Sequence, residues 1–105
     1  MSGMRFQLRL YTVAAGAMEA FVDEWHEHVR PLRLAQGFSI AGPWVGDDGV
    51  TFVWILGHDG DFEAADAAYY ASEERRALDP DPARHLAETK TWFMRSPSRA
   101  PARAR

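Results

Sequence analysis

Residues 5–13 read RFQLRLYTV and residues 14–35 read AAGAMEAFVDEWHEHVRPLRLA, and the change of period between the two stretches decides the fold. In the first, Phe6, Leu8, Leu10 and Thr12 alternate with Arg5, Gln7, Arg9, Tyr11 and Val13. A period of two held over this length is a strand. Ala14-Ala15-Gly16 breaks it. In the second stretch Met18, Phe21, Val22, Trp25, Val29 and Leu32 form one apolar stripe at helical spacing, with Glu19, Asp23, Glu24, Glu27 and Arg30 on the opposite face. Pro31 lies inside this pattern and predicts a kink, or an end followed by a short second piece. Gly37 suits the position just past a helix end.

Outward from this pair, residues 38–46, FSIAGPWVG, predict a strand with Phe38, Ile40 and Trp44 on one face, and Pro43 marks it as an edge strand or a bulged one. Asp47-Asp48-Gly49 is a hairpin turn. Residues 50–57, VTFVWILG, are the most apolar run and predict a central strand buried on both faces. Asp61 is placed to cap a helix over 62–71 whose Phe62, Ala65 and Tyr69 point inward. Ser72 and Asp81 start two further short pieces, the second with Pro82 at its first position. Residues 88–95 close the chain's pattern as a strand with Trp92 and Met94 on one face and Phe93 on the other. The order β-α-β-β-α-β is the split βαβ of the α+β ferredoxin-like fold. With helices on one face of the sheet, the other face is left apolar, and a second copy of the chain is the expected cover, giving a homodimer.

Composition bounds the function. At 105 residues the chain is one domain, read as a folded body over 1–96 and a basic, disordered tail over 97–105. Residues 1–94 carry eight basic and fifteen acidic side chains, a net of −7, which argues against nucleic-acid binding. No apolar run is long enough to span a membrane and no leader is evident, so a cytoplasmic address is expected. The absence of cysteine removes disulfides, thiol catalysis and thiolate metal sites.

Leu10-Tyr11-Thr12-Val13, Gly16, the run Phe21 to Trp25, His28 and Pro31-Leu32 resemble the opening of NIPSNAP-family domains. Gly42-Pro43-Trp44, Phe52-Val53-Trp54, the stretch from Asp61-Phe62-Glu63-Ala64 to Tyr69-Tyr70-Ala71-Ser72, and Ala77-Leu78-Asp79-Pro80 continue the resemblance, which covers roughly residues 5–96. It implies a homodimeric α/β barrel, in which two four-stranded sheets close on each other. The superfamily so implied holds cofactor-independent monooxygenases, heme-degrading monooxygenases, isomerases and cyclases, and the NIPSNAP branch has no generally agreed reaction. Glu73 and Arg75 depart from the proline and aromatic residue expected in relatives.

The groups left for chemistry are His, Tyr and Arg. His26 and His28 are two apart on a helix and point about 200° from each other, so they cannot chelate one metal. His28 borders the apolar stripe and has Glu24 four residues before it, a pairing that would raise its pKa. His58 ends the third strand beside a loop, where sites are commonly placed. Arg9 and Tyr11 share a strand face. If that face looks at the helices, Arg9 can bind an anionic substrate group and Tyr11 can donate a proton. If it looks away, Arg9 pairs with an acid across the dimer. The candidate catalytic set is therefore His28, His58 and Tyr11, with Arg9, Trp25, Trp44, Trp54, Tyr69 and Trp92 around a small hydrophobic or aromatic ligand. No metal and no cofactor are expected. The alternatives are a non-catalytic interaction protein, or a heme-binding protein with His28, His58 or His85 as axial ligand.

Overall fold

The computed structural model describes residues 4–97. All but the first residue of the expected tail lie outside them. The elements are β1 (Arg5–Val13), α1 (Met18–Glu24), a π-helical turn (Trp25–Val29), α2 (Arg30–Ala35), β2 (Ser39–Val45), β3 (Thr51–His58), α3 (Phe62–Ala71), α4 (Glu73–Arg76), a 3-10 turn (Pro82–His85) and β4 (Leu86–Met94). The four strands form one antiparallel sheet in the order β2-β3-β1-β4, the ferredoxin-like arrangement that the element order predicts.

The alternation in β1 sorts the sheet into two faces. Gln7, Arg9, Tyr11 and Val13 are buried under the helices, opposite Leu56, Trp54 and Phe52 of β3. The core lies on this side: Phe21, Trp25, Phe38, Phe62 and Tyr69 come down from the helical layer and its loops onto Phe52, Trp54 and Leu56. Each buried aromatic ring contributes about 4–6 kcal/mol at most by area. On the other face three rows of partners cross the sheet, Ser39-Gly57-Phe6-Met94, Ala41-Ile55-Leu8-Trp92 and Trp44-Val53-Leu10-Lys90. The expectation that β3 is buried on both faces is corrected for the single chain: only Phe52, Trp54, Leu56 and Gly57 are buried, while Val53 and Ile55 are half-exposed.

Two irregularities redirect side chains. Pro31 does not break the helix. Instead the preceding turn widens, with the Arg30 N–H donating to the Trp25 carbonyl, five residues back. Proline has no N–H for the Glu27 carbonyl and its ring crowds that group, so a wider turn relieves both demands. The turn also takes up one extra residue. The inward positions therefore run Phe21, Trp25, Val29 and Arg33, and His28 rotates outward. Arg33 on the inside is a correction to the reading of 17–35 as one regular stripe.

In β2 the register slips between Ala41, opposite Ile55, and Trp44, opposite Val53. The extra residue switches the strand's faces. Trp44 therefore leaves the face of Ile40 and stands 54% exposed on the open side, against the expectation that Phe38, Ile40 and Trp44 share a face. Gly42 makes this possible: its φ is +97°, and a Cβ there would sit 2.8 Å from the Trp44 ring. Gly37, at φ +92°, has open space around it. Gly42→Ala should thus cost more than Gly37→Ala, which carries only the backbone strain of about 1–3 kcal/mol. Urea denaturation of both variants checks this, the expected difference being about 1 kcal/mol or more from the displaced ring.

Candidate functional site

The alternation of β1 sends a charged side chain, Arg9, into the aromatic core, and the structure surrounds it with acceptors. Its Nε donates to Gln7 Oε1 at 2.7 Å, Nη1 to Tyr70 Oη at 3.1 Å and Nη2 to Asp66 Oδ1 at 3.0 Å. Burial alone would lower the Arg9 pKa, but Tyr11, Tyr70 and the Asp66 carboxylate outweigh it and hold it above the ordinary arginine value. Asp66 lies on α3 one turn after Phe62 and one turn before Tyr69 and Tyr70, so the helix carries it inward with its apolar stripe. The same Oδ1 stands 2.8 Å from Arg33 Nη1. Two arginines thus share one carboxylate, and the cluster keeps a net positive charge.

Arg33 is 1% exposed. Its guanidinium lies over the Tyr69 ring at 3.6 Å and the Phe38 ring at 4.7 Å. Its Nη1 is not aligned for a hydrogen bond to Asp66, and its Nε has no hydrogen-bond partner among the described residues. Trp25 Nε1, Trp54 Nε1 and Tyr69 Oη are likewise buried without a partner at hydrogen-bonding geometry, although Tyr11 and Arg75 act electrostatically on the last two sites.

These groups line one cleft. Its floor is Tyr11 and Trp54 of the sheet, one wall is Phe21, Trp25, Val29 and Arg33, and the other is Tyr69, Tyr70, Arg75 and the turn at Pro82. The cleft is partly open, and about 50 Å³ of it admits the centre of a water molecule. That is room for a small group, since one water needs only about 10–15 Å³ on this measure. Tyr11 stacks on Phe52 at 6.0 Å and meets Phe21 edge-on at 6.1 Å. Burial raises its pKa and the nearby Arg9 opposes the rise, so the hydroxyl stays protonated at neutral pH and can donate. Burial likewise raises the Tyr69 pKa, against Arg33 and Arg75.

The sequence-derived site divides. Tyr11, Trp25, Trp54 and Tyr69 line the cleft, and Arg9 lies outside its lining, donating to Gln7, Tyr70 and Asp66. His28, His58, Trp44 and Trp92 lie elsewhere. The π-helical turn leaves the His28 side chain 46% exposed, 3.6 Å from Glu27. Glu24 turns instead to Arg84 and His85, so the expected Glu24–His28 pair does not form. His58 Nδ1 accepts the Gly60 N–H at 2.9 Å, fixing the loop after β3, and its ring leans on Phe38. Tyr11, His28 and His58 therefore share no cavity. Trp44 and Trp92, 54% and 49% exposed, belong to the open face of the sheet. His85, the third heme-ligand candidate, packs edge-on against Phe21 and faces Glu24 outside the cleft. Among the described residues no group of three His, Asp or Glu could hold a metal ion, and no helix is long and apolar enough to cross a membrane.

Arg33, Asp66, Tyr70 and Arg75 were missing from the sequence-derived site. For Asp66 the signal was present, as an acid inside the stripe that joins Phe62 to Tyr69. Arg33 stands four residues after Val29 and eight after Trp25, at helical spacing, but its charge set it apart from the apolar stripe.

No protein-family model and no curated protein matches the sequence. The fold matches solved structures. A NIPSNAP domain protein from Burkholderia xenovorans superposes with a TM-score of 0.77 at 19% identity, over 93% of this chain and 99% of that one. A NIPSNAP family protein of unknown function from Agrobacterium tumefaciens gives 0.80 at 16% identity, over 95% and 93%. A candidate antibiotic biosynthesis monooxygenase from Nitrosomonas europaea gives 0.72 at 15% identity, over 92% and 93%. The chain has the NIPSNAP-like fold, as the resemblance in its sequence implies.

Removing the shared carboxylate strands two buried guanidinium groups. Asp66→Ala should destabilise the fold by about 3–5 kcal/mol, whereas Glu63→Ala, which breaks the exposed pair with Arg5, should cost less than about 1 kcal/mol. Chemical denaturation separates the two. At the rim, Arg84 donates to both Glu24 oxygens at 2.9 and 2.8 Å and, with His85, holds the Glu24 carboxyl below its ordinary pKa. A depressed carboxylate stabilises the fold above its unfolded pKa, and that stability is lost as pH falls through the folded value. Glu24→Gln should therefore be less stable than the parent at pH 6–7 and converge with it in acid, as Tm measured across pH reports.

Proposed function

We propose that the chain is a NIPSNAP-type domain that pairs with a second copy through the open face of its sheet and binds a small hydrophobic or aromatic molecule in the cleft between sheet and helices. The observation that carries this reading is the cleft itself. Its walls are aromatic rings, and the residues that line it carry two buried donors, Arg33 Nε and Trp25 Nε1, with no partner among the described residues, while Arg33 Nη1, Trp54 Nε1 and Tyr69 Oη meet Asp66, Tyr11 and Arg75 off hydrogen-bonding geometry. Packed cores leave few polar atoms unsatisfied. Such atoms on the residues of one cavity mark a place built to receive something polar at one end and flat along its length.

The neighbour described as a candidate antibiotic biosynthesis monooxygenase supports oxygenation as one kind of chemistry such a cleft would serve, by fold analogy, and isomerisation and cyclisation without a cofactor are the other classes proposed. The residues refine that reading. The cleft has no histidine on its walls, and its carboxylate is held by two arginines. It supplies donors that stabilise a developing oxyanion, with Tyr11 and Tyr69 protonated, rather than a base that removes a proton. The narrow interior is the observation that favours the second reading, in which the dimer alone is the functional object.

The dimer rests on the three rows that cross the open face. Leu8, Leu10, Val53 and Ile55 form an apolar centre, and Trp44 and Trp92 flank it near opposite edges. A two-fold axis through this patch would lay each row on its counterpart. Light scattering should give a mass twice the 11.8 kDa of the chain, and Leu8→Glu should give a monomer. For the ligand, a thermal-shift panel of flat uncharged aromatic compounds should include at least one that raises Tm by several degrees. Val29→Trp, which fills the cleft, should abolish the rise. A panel without any responder favours the second reading.

A further inference from the structure

The polar atoms left over in the cleft are nearly all of one kind. Arg33 Nε, Arg33 Nη1, Trp25 Nε1 and Trp54 Nε1 can only donate, and the Tyr69 hydroxyl can also donate. The charges point the same way. The groups that face Arg33 are Asp66, Tyr69 and Tyr70 of α3, Phe38 ahead of β2, Arg9 of the sheet beyond Asp66, and Arg75 of α4 beyond Tyr69. Asp66 is the one carboxylate among them and already serves Arg9. Arg75 is paired outward with Asp81 at 2.9 Å. The inner cluster is therefore one negative charge short of balance, and Arg33, Trp25, Trp54 and Tyr69, which carry these donors, line a narrow, partly open cleft.

We infer that the cleft takes a small aromatic carboxylate, whose carboxylate is anchored by Arg33 rather than by Arg9 and whose ring lies among Tyr11, Trp25 and Trp54. This rests on the reading of the cleft as a ligand site and adds the ligand's chemical class. Arg9 does not line the cleft, and each of its three nitrogens already donates once to a side chain. Arg33 lies over the Tyr69 ring at 3.6 Å and the Phe38 ring at 4.7 Å, with Nη1 toward Asp66 and Nε without an acceptor among the described residues. A carboxylate supplies two acceptor oxygens and the missing charge together, whereas a neutral amide supplies one oxygen and brings donors that the cleft does not need.

Benzoate and its neutral isostere benzamide test this on the full chain, with tryptophan fluorescence as the readout because Trp25 and Trp54 form the walls. Benzoate is expected to bind at least tenfold more tightly than benzamide. Arg33→Met should reduce the preference to less than threefold, and Arg33→Lys should leave an intermediate value, with circular dichroism verifying the fold. Should Arg33→Met fail to fold, Trp25→Phe keeps a ring and removes one donor, and should lower the preference several-fold. Equal binding of the two compounds overturns the inference and leaves the cleft a ligand site. A preference that survives both Arg33→Met and Trp25→Phe overturns the assignment of the anchor. No binding of either compound at millimolar concentration overturns the inference, and the uncharged panel then decides the cleft separately.

Discussion

One oxygen atom, Asp66 Oδ1, lies 3.0 Å from Arg9 and 2.8 Å from Arg33. Through it α3 is tied both to the middle of the sheet and to the end of α2. The two guanidinium groups are buried beside Trp54, Tyr69 and Phe38, while the Asp66 side chain is 26% exposed. Attraction in such surroundings is strong, and so is the cost of desolvating each ion. An apolar trio of equal volume would hold the layers together at least as firmly. What the charged trio adds is position: it holds Arg33 Nη1 and Arg9 Nη2 to the same oxygen. The same interaction that joins helix to sheet thus leaves one guanidinium with donors to spare.

The alternating pattern of residues 5–13 and the caps at Asp61, Ser72 and Asp81 were enough to place the strands, the turns and the helices of the second half. Each depends on contacts within a few residues: Asp61 accepts from Ala64, Ser72 from Arg75 and Asp81 from Ala83. Two of the departures, in β2 and in the first helix, have one cause, a single residue added to a regular element. In β2 it sends Trp44 to the other face, and in the helix it turns His28 out and Arg33 in. Periodicity arguments assume an unbroken count, so every side chain beyond such an insertion is misassigned together. Gly42-Pro43 and Pro31 marked the places, but their residue types do not say by how much the count shifts.

The aromatic residues that looked like one set serve two layers. Trp25 and Trp54 are enclosed between helices and sheet, and Trp44 and Trp92 stand on the opposite face with Leu8, Leu10, Val53 and Ile55. The inner set includes hydroxyls, indole N–H groups and guanidinium groups; the outer set is almost wholly hydrocarbon apart from its two rings. That difference in polarity is what distinguishes the two faces of the sheet.

The widened turn at Trp25–Val29 also bears on how this chain is compared with others. At 15–19% identity, residues are matched mainly by position along each element. A helix with a regular turn there is one residue shorter between the same two anchoring points. An ungapped match across residues 25–29 would then set Arg33 against the wrong neighbour in every such relative. A guanidinium kept at the same point in space would look, column by column, like a substitution. Superposition of backbones, with the gap placed inside the helix, is the comparison in which the two would coincide.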